Sequence, residues 1–248
     1  MSSQLTLPTG LPPQTQNILR DFVTRAQESF GSNLLSAVLF GSAAEARLRQ
    51  HSDVNLILVL KSFSPEQAAA LSPALALARA AIDLQVMFLA EAEIPAAIEC
   101  FAQKFADIIR RHFVVCGPDP FAGAAVNRED EIRRTRQVLL NLTMRLRERY
   151  TILAANPDQL STAIADSIGP VRTCAAALHQ IEGRSANSPK EAFAATIASL
   201  NNPEWNYLPE YFSQVREQGL PASPAPTVVI AHLLALSTTL RQRLESHL

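Results

Sequence analysis

The stretch "VLFGSAAEARLRQHSDVNLILVL", Val38 to Leu60, holds two apolar runs separated by a polar loop. The first run starts upstream as "LLSAVLF" and stops at Gly41-Ser42, where a buried strand gives way to a turn. The second, "DVNLILVL", reads as another strand, led in by Asp53. Glycine lets backbone N–H groups approach a phosphate closely, and the serine hydroxyl can donate to it. Asp53 and Asn55 are two apart on a strand, so they project from one face. A lone Gly-Ser is often just a turn, and Asp53 alone reads equally as a strand cap. Gly-Ser followed at this distance by Ser-Asp, between two apolar strands, is a stronger signal. It predicts a phosphate cradle beside a small set of oxygen ligands.

Working outward, "PQTQNILRDFVTRAQESFG" places Ile18, Leu19, Phe22, Val23 and Phe30 at helical spacing and ends at Gly31. "SPEQAAALSPALALARAA" opens with a helix-start signal, with a break expected at Pro73. "IDLQVMFL" reads as a third strand, with Asp83 and Gln85 on one face and Ile82, Leu84 and Val86 on the other. "IPAAIECFAQKFADIIRR" predicts one further helix and "HFVVCG" a fourth strand. "GPDPFAGAAVN" then has loop chemistry and is the expected linker. Beyond it every periodic segment is helical. The fold class expected is α+β: a mixed sheet with flanking helices over residues 1–122, then an all-α helical bundle over 123–248.

Composition narrows the function classes. The 248 residues are 48% hydrophobic and 18% charged, enough for sizeable cores. A formal net charge of -1 gives no global attraction to nucleic acid or anionic membrane. Cys100, Cys116 and Cys174 are odd in number and widely spaced, which argues against a zinc site or a disulfide framework. The N-terminus does not read as a signal peptide, and apolar runs such as "VVIAHLLAL" are too short to span a bilayer. A cytoplasmic protein without membrane partners is expected.

"LFGSAAEARLRQHSDVNLILVL" resembles the signature of the polymerase-β-like nucleotidyltransferases: Gly-Ser, a fixed gap, then Asp-apolar-Asp. "IDLQVMFLAEAE" resembles the strand carrying the family's third carboxylate. "RRHFVVCGPDP" resembles the strand and turn closing the domain in the minimal and kanamycin-nucleotidyltransferase-like branches, which commonly carry a helical C-terminal domain. The resemblance covers about residues 15–120 and implies a palm-like mixed sheet. It implies that Gly41 and Ser42 contact the triphosphate of an NTP. Asp53 and Asp83 would be the catalytic carboxylates, holding Mg²⁺ or Mn²⁺ for transfer of NMP to a hydroxyl acceptor. Asn55 falls where the family has a second bridging Asp, so it offers a neutral oxygen to a site expected to hold one ion rather than two. Ala46 falls where the family often has a flexible Gly, and Glu45 where a basic residue is common.

The helical half adds weaker signals. The segment 128–149 carries Arg128, Arg133, Arg134, Arg136, Arg145, Arg147 and Arg149, a set that suits either an anion-binding stripe or a solvated face. Arg172-x6-His179 and Arg241-x5-His247 meet the loose Arg-x4-6-His pattern of the HEPN ribonucleases. "EWNYLPEYF" reads as core packing between helices. Three functions are therefore in play. One is a weak nucleotidyltransferase acting on a small molecule, protein or RNA. Another is an inactive nucleotide- or partner-binding relative of toxin–antitoxin type, and the last a HEPN-like ribonuclease. A homodimer through the helical domain is an open partner of each.

Overall fold

The computed structural model describes residues 5–48, 53–154, 156–186, 188–219, 221 and 223–248. His51 and Ser52, both in the loop of the opening motif, lie outside the described residues. The chain divides into two compact units, Met1–Val126 and Asn127–Leu248.

The first unit is built on a four-stranded mixed sheet in the order β3-β2-β1-β4. β1 (Leu34–Phe40) pairs antiparallel with both β2 (Val54–Leu60) and β4 (His112–Cys116), while β2 and β3 (Leu84–Ala90) run parallel. A parallel pair needs a crossover, and the helix α2 (Pro65–Ile82) supplies it. Alternation along the strands sorts two cores. Ala37, Leu39, Leu56, Leu58 and Leu84 cluster with Leu19, Phe22, Val23 and Phe30 of α1 (Pro13–Phe30) and with Leu71 and Ala78 of α2. On the opposite face Val38, Ile57, Val59 and Leu89 cluster with Phe105 and Ile108.

Two helix expectations need correction. α2 runs straight through Pro73 instead of breaking there. Pro73 and Ala69, whose carbonyl loses its helical donor to the proline, both lie on the exposed side, where water can take the bond. The segment 94–111 forms two helices, α3 (Ile94–Cys100) and α4 (Ala102–Arg110), separated at Phe101 with φ -119 and ψ 39.

The expected linker is partly tied down. Asp119 accepts from the Phe121 amide at 2.9 Å. Phe121 is only 2% exposed and meets Phe105 edge-on at 5.9 Å between ring centres. Residues up to Val126 therefore belong to the first unit.

The second unit is helical throughout its described residues. It comprises α5 (Arg128–Leu153), α6 (Pro157–Ile181), α7 (Pro189–Ser199), α8 (Leu208–Gln218) and α9 (Pro226–Glu245). Asn127 caps α5 by accepting from Glu129 at 2.8 Å, and Ser188 caps α7. Ile132, Leu139 and Leu146 of α5 share one core with Ile164, Val171 and Leu178 of α6 and Leu233, Leu236 and Leu240 of α9. Trp205, Tyr211 and Phe212 of the aromatic segment are buried there, with Phe212 stacked on Phe193 at 4.9 Å. No helix among the described residues is long and apolar enough to cross a membrane.

Candidate functional site

β1 ends at Phe40, and the chain turns at once through Gly41 and Ser42. Gly41 has φ 70, a left-handed conformation that favours glycine. A Cβ built on Gly41 would stand 4.0 Å from Asn55 Nδ2, so the turn and the Asn55 amide are neighbours. Phe40 is the register partner of both Asn55 and His112, and Asn55 is the partner of Gln85. Gln85, Asn55, Phe40 and His112 thus form one row across the sheet. Asp53 and Asp83 stand just before β2 and β3, and the Val54 amide donates to the Asp83 carbonyl at 3.2 Å.

All five residues singled out by the sequence lie at this end of the sheet. Their bonding differs from a row of free ligands. Asn55 Nδ2 donates to Asp53 Oδ2 at 2.9 Å, and Gln85 Nε2 donates to Asp83 Oδ1 at 2.7 Å. Each carboxylate, exposed to solvent, already holds an amide donor. Asp83 is not a strand residue: it caps α2 with φ 47 and ψ 47, and β3 begins at Leu84. Left-handed backbone breaks strand alternation, and short polar side chains tolerate it best.

This donor set suits one hard cation better than two. It offers two carboxylates and the neutral Oδ1 of Asn55, and Mg²⁺ is commonly held by one or two carboxylates plus substrate phosphates. No group of three His, Cys, Asp or Glu among the described residues could hold a metal by itself.

Three further groups at this end were not singled out from the sequence. Lys104 of α4 holds its Nζ 5.7 Å from the centre of the Phe40 ring, and burial pulls its pKa below that of an ordinary lysine. His112 places Nδ1 3.0 Å from the Ile108 carbonyl and Nε2 3.1 Å from Asp119. Arg111 bonds Glu45 at 3.0 Å and both oxygens of Asp107 at 2.6 Å. Burial works against the Arg111 charge, but Asp107 and Glu45 outweigh it and hold its pKa above the ordinary arginine value. Glu45 is therefore neutralised by a cation and does not stand as a bare charge next to the Gly-Ser turn. None of these groups carries a local motif; strand pairing brings His112 beside Phe40, and Lys104 reaches the same ring from α4.

The most similar solved structures include that of spectinomycin adenyltransferase AAD(9) from Enterococcus faecialis with ATP and spectinomycin. It matches with a TM-score of 0.64 at 12% identity, over 94% of this chain and 98% of that one. The fold is that of the polymerase-β-like nucleotidyltransferases. Among curated proteins, "Putative protein adenylyltransferase MJ1305" of Methanocaldococcus jannaschii is 39% identical over 46 residues, or 18% of this chain. The match spans 31% of that protein's length. No family model matches the chain.

Against the resemblance to polymerase-β-like nucleotidyltransferases, Ala46 stands out. It adopts φ 54 at the position where that signature often carries Gly. The turn thus keeps the left-handed geometry with a less permissive residue. The helical unit offers little to the ribonuclease reading. Arg172 and His179 are 3% and 5% exposed. Arg172 donates to Ser213, and His179 lies 3.2 Å from the Ser185 carbonyl. His247 sits 3.6 Å from Glu182, which also binds Arg184 and Arg243. These contacts knit the chain end onto α6.

Proposed function

We propose that the chain binds a nucleoside triphosphate at the Gly41–Ser42 turn and slowly transfers its NMP to a hydroxyl acceptor. ATP is the nucleotide favoured, since both similar proteins are named for adenylyl transfer. One observation carries the reading: the glycine turn, the Asn55 amide and the carboxylates of Asp53 and Asp83 share one end of the sheet, although the sequence scatters them over 43 positions, from 41 to 83.

In this reading the amides and hydroxyl of the turn hold the β- and γ-phosphates, with positive charge from Lys104 close by. Asp83, exposed at the rim, accepts the proton of the acceptor hydroxyl. That oxygen attacks the α-phosphorus, and pyrophosphate leaves toward the turn. A divalent ion on Asp53 and Asp83 would neutralise phosphate charge. Slowness follows from Asn55, which brings an oxygen without a charge and donates into Asp53.

The same Asn55–Asp53 bond favours a second reading, a protein that binds nucleotide without transferring it. Calorimetry with ATP and Mg²⁺ or Mn²⁺, on the native chain and on Ser42→Ala, tests the shared step. Binding weakened about tenfold by loss of the hydroxyl is expected. Equal affinity in both, or no heat in either, removes both readings. α-labelled ATP then separates them, because only transfer leaves label on an acceptor or on the chain.

A further inference from the structure

The arginines of α5 divide into two groups. Arg133 pairs with Asp130 at 3.0 Å, Arg136 with Glu245 at 2.7 Å, and Arg134 donates to Gln137. Arg128 donates to the Ile181 carbonyl. Arg145 and Arg149, further along, have no hydrogen-bond or ion-pair partner among the described residues. With Asn141 they repeat every fourth residue, which stacks them on one helix face. That face lines a cavity of about 280 Å³ between α5 and α6, within the helical unit.

α6 supplies the opposite wall with Asp166 and Pro170. Pro170 has no N–H, so the helix provides no donor for the carbonyl of Asp166 four residues earlier. Asp166 therefore brings a carboxylate with no ion-pair partner among the described residues and a main-chain oxygen that lacks its usual helical donor. It forms no ion pair within 4 Å with Arg145 or Arg149, although all three line the same cavity. Opposite charges facing one space without pairing leave room between them for a group that meets both. Leu146 contributes to an apolar floor.

We infer that this cavity is a binding site for a small bipolar molecule. Its oxyanion would rest on Arg145 and Arg149, and an ammonium a few bonds away on Asp166. Bidentate guanidinium recognition of an oxyanion and a carboxylate–ammonium contact are both charge-assisted, and the volume suits a compound with few heavy atoms. The site is separate from the Gly41–Ser42 turn and does not rest on the nucleotide reading.

The probe is O-phosphoethanolamine, titrated calorimetrically into the full chain beside inorganic phosphate. Phosphoethanolamine should bind about tenfold more tightly than phosphate. Arg145→Gln and Arg149→Gln should each weaken both probes about tenfold or more. Asp166→Asn should erase the preference for phosphoethanolamine while leaving phosphate bound at least as well. Arg147→Gln, whose side chain lies outside the cavity, should change neither. All these positions are exposed, so the variants should fold, as circular dichroism would check. Equal affinity for the two probes, no binding of either at 10 millimolar (roughly 2–3 kcal/mol of affinity), or the same loss in Arg147→Gln would overturn the assignment.

Discussion

Replacing Asn55 with Asp should lower stability without metal and raise it with metal. In the native chain Asn55 Nδ2 donates to Asp53 Oδ2 at 2.9 Å. The substitution keeps the shape, removes a hydrogen bond to a charged group and places a second anion about 3 Å from the first. The lost bond is worth about 1.5 kcal/mol. The repulsion is about 1.4 kcal/mol in a dielectric of ~80 and ~5 kcal/mol at an effective ~20. Asp53 is exposed and Asn55 only partly buried, so the lower figure applies. A total near 3 kcal/mol should lower the Tm of a unit this size by roughly 10 °C. With a divalent ion about 4 Å away, the new charge gains up to roughly 8 kcal/mol at a dielectric of ~20, an upper bound that desolvation reduces. Thermal unfolding in EDTA, then with Mn²⁺, then with Mn²⁺ and ATP, follows both signs. An unchanged Tm in EDTA together with an unchanged metal shift would refute the reasoning, because Asn55 would then not face Asp53 in solution.

Other outcomes follow from the same geometry. At Gly117, with φ 81, an added Cβ would lie 2.0 Å from the Leu35 carbonyl oxygen; Gly117→Ala should cost about 3 kcal/mol or more, read as a lower denaturant midpoint. Ala46→Gly relieves roughly 1 kcal/mol of left-handed strain but loses a methyl contact with the core, so a small rise in Tm is expected. A thiol reagent should titrate Cys100 alone in the native chain, since Cys116 and Cys174 are buried, and all three after denaturation. Burial pushes the Cys174 thiol from 9.0 up to about 12, above its unfolded value. Its contribution to stability is therefore full below about pH 9 and lost as pH rises toward 12. Cys174→Ala should flatten that alkaline decline in unfolding curves.

The strands of the first unit were legible because their apolar runs are short and bounded by turn residues, as at Gly41-Ser42 and before Asp53. The helices of the second unit followed from periodicity over long segments such as 128–153. Local pattern failed where solvent or backbone decided. Pro73 leaves α2 unbroken because it and Ala69, whose carbonyl loses its helical donor, lie on the exposed side of the helix, a fact about exposure that no neighbouring residue states. Phe121 looked like part of a loop, yet it is buried because Phe105 and His112, distant in sequence, meet its ring edge-on. Asp83 looked like a strand residue, and it became the left-handed cap of the crossover helix.

The candidate site divides along the same line. The sequence alone determined which residue types were present at what spacing, and hence that Gly41, Ser42, Asp53, Asn55 and Asp83 had the chemistry to meet a phosphate and a cation. Only the tertiary structure decided that Asn55 spends its amide on Asp53, that Gln85 does the same to Asp83, and that Glu45 is answered by Arg111. The first two bonds join residues two positions apart, a spacing that permits the contact without fixing what each amide meets; Glu45 and Arg111 stand 66 positions apart and meet because β4, which Arg111 precedes, pairs with β1, whose end leads into Glu45.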